Sequence, residues 1–161
     1  MSPRWYISRR LARHSRSCRH QLTKLEPRLA PAGILSAITD GAGDLIIADA
    51  GGHLIALERM DGGRFHTVHS ATTKAVCAAS NKRPTSPQGA QGQPLDVAHA
   101  LGLALAAGAE RWTATEGGFP VIIDGECIGG LGVSGGDWAT DERIAQAAVE
   151  SIGARWRIDG K

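Results

Sequence analysis

Two short runs, Asp44-Leu45-Ile46-Ile47-Ala48-Asp49 and His53-Leu54-Ile55-Ala56-Leu57-Glu58, are rich in β-branched and apolar residues and are separated only by Ala50-Gly51-Gly52. That spacing predicts a tight β-hairpin. Met60-Asp61-Gly62-Gly63 then breaks the strand pattern. From Phe65 to Ser80, Phe65, Val68, Thr72, Val76 and Ala79 recur near the helical period, so a helix follows the hairpin. Residues Asn81 to Gln93 hold Pro84, Pro87 and two glycines with little that could pack, and read as an exposed loop. Pro94 suits the first turn of a second helix over Leu95 to Ala107, with Gly108 as its natural end. That helix carries few charges, so it is expected to be largely buried.

Farther on, Arg111-Trp112-Thr113-Ala114 is a weak strand candidate, Gly117-Gly118 a turn, and Phe119-Pro120-Val121-Ile122-Ile123 a clear strand. Asp124-Gly125-Glu126 turns the chain into Cys127 to Ser134, whose three internal glycines weaken a strand unless another backbone or a ligand must come close. Thr140-Asp141-Glu142 opens a last helix with Ile144, Ala147, Ala148 and Ile152 on one face; capping and the helix dipole explain its acids. The order predicts an α+β fold, one antiparallel sheet of about five strands with helices packed against it.

A length of 161 residues fits one such domain. The chain is 42% apolar but only 4% aromatic, and it has 21 glycines, so its core must rely on Ala, Val, Ile and Leu in close packing. The net charge of +2 is unevenly spread. Residues 1–33 hold eight of the 18 Lys and Arg but only Glu26 of the 16 acids, which leaves ten bases against fifteen acids, a net −5, on the remainder. The basicity sits in a tail and the folded part is acidic, which argues against nucleic-acid binding. Arg9-Arg10-Leu11-Ala12 has the twin arginines of an export signal, but no apolar stretch follows. Residues 1–30 read as a basic, disordered extension, with targeting or export left open, residues 31–156 as the domain, and 157–161 as a tail. The chain has no apolar run long enough to span a membrane. Cys18, Cys77 and Cys127 form no C-x-x-C pair, which argues against structural zinc or a disulfide framework and for a reducing, cytoplasmic setting.

Among residues that carry chemistry, His66 and His69 lie at i and i+3 on the predicted helix, so both rings could reach one iron, one metal or one propionate; the alternative is a solvated polar face. His53 and Met60 are an imidazole and a thioether, ligand types that iron accepts, although Met60 also suits core packing. Arg59, Arg64 and Lys74 could pair with the carboxylates of a ligand, or with Glu58 and Asp61 at the surface. His99, in an apolar helix, reads first as a hydrogen-bonded core histidine. Neither the Gly117-Gly118 turn nor the glycines after Cys127 have P-loop spacing, and Ser134 lacks the G-x-S-x-G elbow of a serine hydrolase.

Taken together, Asp49-Ala50-Gly51-Gly52-His53-Leu54, Arg59-Met60-Asp61-Gly62-Gly63, Lys74-Ala75, Arg83-Pro84-Thr85, Gly117-Gly118-Phe119-Pro120, Ile128 to Gly135 and Asp141-Glu142 resemble the GlcG/HbpS-like haem-binding (haem-degrading domain) family. That family is related to the C-terminal domain of PduO-type corrinoid adenosyltransferases. The resemblance implies a profilin-like or roadblock-like sandwich, self-association as a dimer or octamer and, for some members, binding of haem or a related tetrapyrrole. It implies a pocket beside Met60 and Asp61, and it brings Gly117 and Gly118 into the candidate ligand-binding set with His53, Arg59, Met60, Asp61, Arg64, His66, His69 and Lys74. The family's long first helix has only Pro31 to Ala42 to occupy here. Three functions stay open: a haem or tetrapyrrole module for sensing, storage or handover; an enzyme or accessory protein of a catabolic pathway acting on a small carboxylated metabolite; and a structural oligomer without ligand.

Overall fold

Strand β2 (Asp44–Asp49) is buried along its whole length, with Leu45 and Ile47 on one face and Ile46 and Ala48 on the other. A run that is apolar on both faces belongs in the middle of a sheet with a layer on each side. It runs there antiparallel to β3 (Leu54–Arg59), its hairpin partner, and to β5 (Glu126–Ser134). The computed structural model describes residues 43–157 and the two-residue strand β1 (Tyr6–Ile7). With β4 (Gly118–Ile123) the sheet order is β1-β3-β2-β5-β4, a four-stranded antiparallel sheet extended at one edge by β1. The expected α+β fold is therefore found. The predicted first helix over Pro31 to Ala42 and the basic tail lie outside the described residues.

Helix α1 (Thr67–Asn81) covers one face of the sheet and α3 (Trp138–Ser151) the other. On the α3 side, Phe119, Val121, Ile128, Leu131 and Val133 close against Ile144, Ala148 and Val149. Burying an aliphatic side chain of this kind contributes about 1.5–3 kcal/mol. On the α1 side, Ile46 and Ala48 meet Ala71 and Ala75. The glycines of β5 explain this thinner layer: a Cβ on Gly130 would run into the Ala75 carbonyl, and one on Gly132 into that of Ala71. The close approach foreseen for this strand is made by a helix backbone.

That contact also corrects the predicted helix face. The helix turns Ala71, Lys74, Ala75 and Ala78 inward, where only small side chains or a paired one fit, and leaves Val68, Thr72 and Val76 half-buried. Phe65 lies before the helix and is 86% exposed. The segment after α1 is an exposed loop over much of its length but is tied down: Arg83 donates to the Gly89 and Gln88 carbonyls, and Thr85 and Gly118 exchange hydrogen bonds. Helix α2 (Val97–Ala107) starts behind Asp96, whose carboxylate accepts from the His99 amide at 2.9 Å, so Pro94 stays outside it.

The largest departure from expectation is that α2 has no buried residue; Val97 is 83% and Leu105 73% exposed. An all-round apolar pattern reads as buried, but this helix reaches only Ala100 and Ala104 toward the body. Residues 111–114 form no strand, and the last helix is capped by Asp137, which accepts from Thr140 at 2.7 Å, rather than opened by Thr140. Its Ala147 is exposed. Among the described residues no helix is long and apolar enough to cross a membrane.

Candidate functional site

The turn from β3 into α1 is built by side chains bonding to backbone. Arg59 donates from Nη2 to the Gly63 carbonyl, and its Nε stands 3.6 Å from Asp44 Oδ1. Asp44 Oδ2 accepts from Thr67 Oγ1 at the start of α1, and Met60 N donates to the Gly43 carbonyl at 3.0 Å. The fold thus brings Arg59, Met60, Asp61 and Arg64 to one place. Gly43, Met60, residues 61–64 and Gly135 line a recess of about 150 Å³. Arg59 does not line it and is a positioning residue, because its guanidinium holds the turn. Arg64 is exposed and reaches the Gly135 carbonyl only at 3.4 Å, so its charge can turn to a ligand. A recess this small takes one carboxylate or one edge of a larger molecule; sites for whole drug-sized ligands are roughly 300–1,000 Å³.

Lys74, Gly117 and Gly118 belong elsewhere. Lys74 is 3% exposed, and its Nζ donates to Asp141 Oδ2 and to the Val133 carbonyl, each at 2.8 Å. Asp141 Oδ1 accepts from Gly136 N at 2.9 Å, so the acid read as a capping residue is half of a buried ion pair. Gly117, at φ 100°, packs so close that a Cβ there would meet Asp141 Cβ at 2.9 Å. This knot ties α1, β5 and α3 together and leaves the lysine no approach from solvent.

The candidate imidazoles are spread over the surface. His53 sits on the hairpin at the far end of β3 from Arg59, roughly 20 Å away at strand rise. Its Nδ1 is 3.2 Å from both oxygens of Asp49, and its side chain is 59% exposed. Asp49, fully buried, also accepts from Gly51 N and His53 N. His66 and His69 are both exposed at the first turn of α1, with Phe65 edge-on to His66 at 5.6 Å. Among the described residues no three His, Cys, Asp or Glu gather as a metal site.

His99 is corrected from core to surface. Its side chain is 76% exposed and its Nδ1 stands 2.7 Å from Asp96 Oδ2. The signal was readable as an aspartate three residues before a histidine at a helix start, but it was masked by the apolar residues around it. Glu58 is buried on β3 with one oxygen lacking a hydrogen-bond partner, and burial pushes its carboxyl above the ordinary range. Burial likewise pushes the Cys77 and Cys127 thiols up.

Comparison with known proteins accounts for this arrangement. The family described as haem-degrading, HbpS-like proteins matches residues 44–150. Protein GlcG of Escherichia coli K12 is 38% identical over 90 residues, 56% of this chain; the chain spans 62% of that relative's length. A crystal structure of a PduOC:heme complex superposes with a TM-score of 0.65 at 26% identity, covering 91% of this chain and 99% of the other. The crystal structure of HbpS gives 0.59 at 26% identity, covering 88% and 92%. By its matched sequence and its fold, the chain belongs to the GlcG/HbpS-like haem-degrading-domain family, to which the PduO C-terminal domain is related.

Proposed function

We propose that this protein is a haem or related tetrapyrrole-binding module, serving sensing, storage or handover. The observation that carries the reading is the likeness to a haem complex over almost the whole of that chain. The donor set fits the group. His53, His66, His69 and His99 offer imidazoles at the surface, and Arg64 offers a cation for a propionate. The recesses beside Met60, on α2 and on α3 measure about 150 to 360 Å³, so a macrocycle seated at one of these would lie on the protein rather than inside it. A bound haem would supply redox-active iron. The chain's residues bind, orient and partly shield it. Haemin titration followed by absorbance is the test. Saturation near one haem per chain is expected, and loose binding without saturation overturns the reading.

The recess beside Met60 favours a second reading, a small carboxylated metabolite held by Arg64 and the Gly62 and Gly63 backbone, in an accessory or enzymatic role. Calorimetric titration with small mono- and dicarboxylates tests it. Binding abolished by Arg64→Ala supports it, and the absence of heat with every acid overturns it.

Self-association and a cytoplasmic location belong to the same proposal. The stripe Val97, Leu101 and Leu105 recurs at i, i+4 and i+8 and is 57–83% exposed, a face suited to a second copy. Free Cys77 and Cys127 support a reducing compartment. Sedimentation should give an oligomer that Leu101→Glu reduces to monomer. A wild-type monomer at micromolar concentration overturns the self-association.

A further inference from the structure

Resting on the tetrapyrrole reading, we infer that the iron ligand is His99, with the macrocycle lying against the outward face of helix α2. Four exposed imidazoles compete for this role among the described residues, and two structural requirements separate them. A ligating histidine needs its second ring nitrogen held, because that fixes the tautomer and the direction of the lone pair. It also needs an apolar surface beside it on which a flat macrocycle loses water.

Among the described residues His66 and His69 show no carboxylate partner for either ring. His53 has its carboxylate, Asp49, but stands on a tight hairpin turn. His99 meets both requirements. Asp96 Oδ2 stands 2.7 Å from Nδ1. A carboxylate oxygen is an acceptor only, so at this distance it receives a hydrogen bond from the ring. The proton therefore sits on Nδ1, and the Nε2 lone pair is the one offered to a metal. No electron is transferred in forming this bond; Nε2 would donate its pair to the ferric ion in place of a solvent ligand, and the proton stays on Nδ1, hydrogen-bonded to Asp96.

The surface beside the ring is a shallow depression of about 360 Å³ lined by Ala98, His99, Gly102 and Leu103. Those residues lie at i−1, i, i+3 and i+4, one continuous face of the helix. Gly102 leaves its centre flat, and a Cβ there would meet nothing within 4 Å. Leu103 is 44% exposed at its border. Helix-interior glycine costs about 1 kcal/mol relative to alanine. The open space shows that no residue of the same chain packs against this position. The Val97–Leu101–Leu105 stripe points to another side of the helix, so a second copy and a haem do not compete for the same residues.

Haemin and metal-free protoporphyrin IX are titrated into the full chain and into His99→Ala, Asp96→Asn and Gly102→Glu, each checked by circular dichroism, melting and sedimentation. All three positions are exposed, and asparagine caps a helix as well as aspartate does. His99→Ala and Gly102→Glu should abolish the saturable phase and the ligand-dependent position of the main absorption band. Asp96→Asn should weaken haemin binding about 10-fold while leaving metal-free porphyrin unchanged. If wild type saturates and His99→Ala does so equally, His99 is not the ligand and the haem reading stands. If wild type fails to saturate, both fall. If Gly102→Glu changes the oligomer while haemin still binds, the face is an interface between copies and the inference is overturned.

Discussion

Replacing Asp141 by alanine removes the carboxylate that receives Lys74 Nζ and Gly136 N. The ammonium then stays 3% exposed with the Val133 carbonyl as acceptor. Breaking a buried ion pair by deleting one partner costs about 3–5 kcal/mol, mostly the penalty of the stranded charge. For a chain of this size each kcal/mol moves the melting temperature by about 2–4 °C, so a fall of about 6–20 °C is expected. The double variant Lys74→Met with Asp141→Leu removes both charges and keeps the volume. It should be less destabilised than the sum of its single changes by about 1–3 kcal/mol. Thermal and urea unfolding of wild type, Lys74→Met, Asp141→Leu and the double variant in one buffer close the cycle, with Asp141→Ala melted beside them. Melting of Asp141→Ala within about 2 °C of wild type, or strict additivity, would refute the reasoning that this pair is desolvated and mutually dependent.

Three further outcomes follow from other contacts. Gly130→Ala should destabilise by about 1–3 kcal/mol through overpacking against α1, whereas Gly102→Ala on exposed α2 should stabilise by up to about 1 kcal/mol; equal effects in urea unfolding would contradict the packing described. Glu58 has a folded-state carboxyl value above its unfolded one, so the native chain holds its proton longer and loses stability as pH rises from the ordinary carboxyl range through the raised value. Glu58→Gln should remove that decline, and parallel pH–stability curves for the two proteins would count against it. In a Cys18→Ser background, Cys77 and Cys127 should react with iodoacetamide at neutral pH more slowly than an exposed model thiol; equal rates would mean that burial does not control them.

The sheet was legible because its signals are local. Residues 44–58 alternate apolar runs with a Gly-Gly turn, and Phe119 to Ser134 repeats the device. The glycines at 130 and 132 were legible as a close approach, but which partner approaches depends on Ala75 and Ala71, more than fifty residues earlier. Periodicity failed on α2 for a related reason. An apolar pattern on every side carries no direction, so it cannot separate a buried helix from one standing off the body. At the candidate site, Arg59 to Arg64 are consecutive, and their meeting around one recess follows from the turn they form. Lys74 and Asp141 lie 67 residues apart, and a lone lysine in a helix does not disclose whether its partner is a ligand or another side chain.

The backbone contact between α1 and β5 also has a mechanical meaning. Where two elements touch through side chains, rotamer changes let one slide or roll on the other. At Gly130 and Gly132 there are no side chains to adjust, and the carbonyls of Ala75 and Ala71 rest on the strand itself. Rolling α1 would lift the helix off the sheet and open a gap on its Ala71 and Ala75 side, so the helix behaves as a rail clamped at two points. The first turn of the helix, from Thr67, therefore inherits the sheet's rigidity, and motion of the Arg64 turn relative to the body must come from residues 60–66 alone.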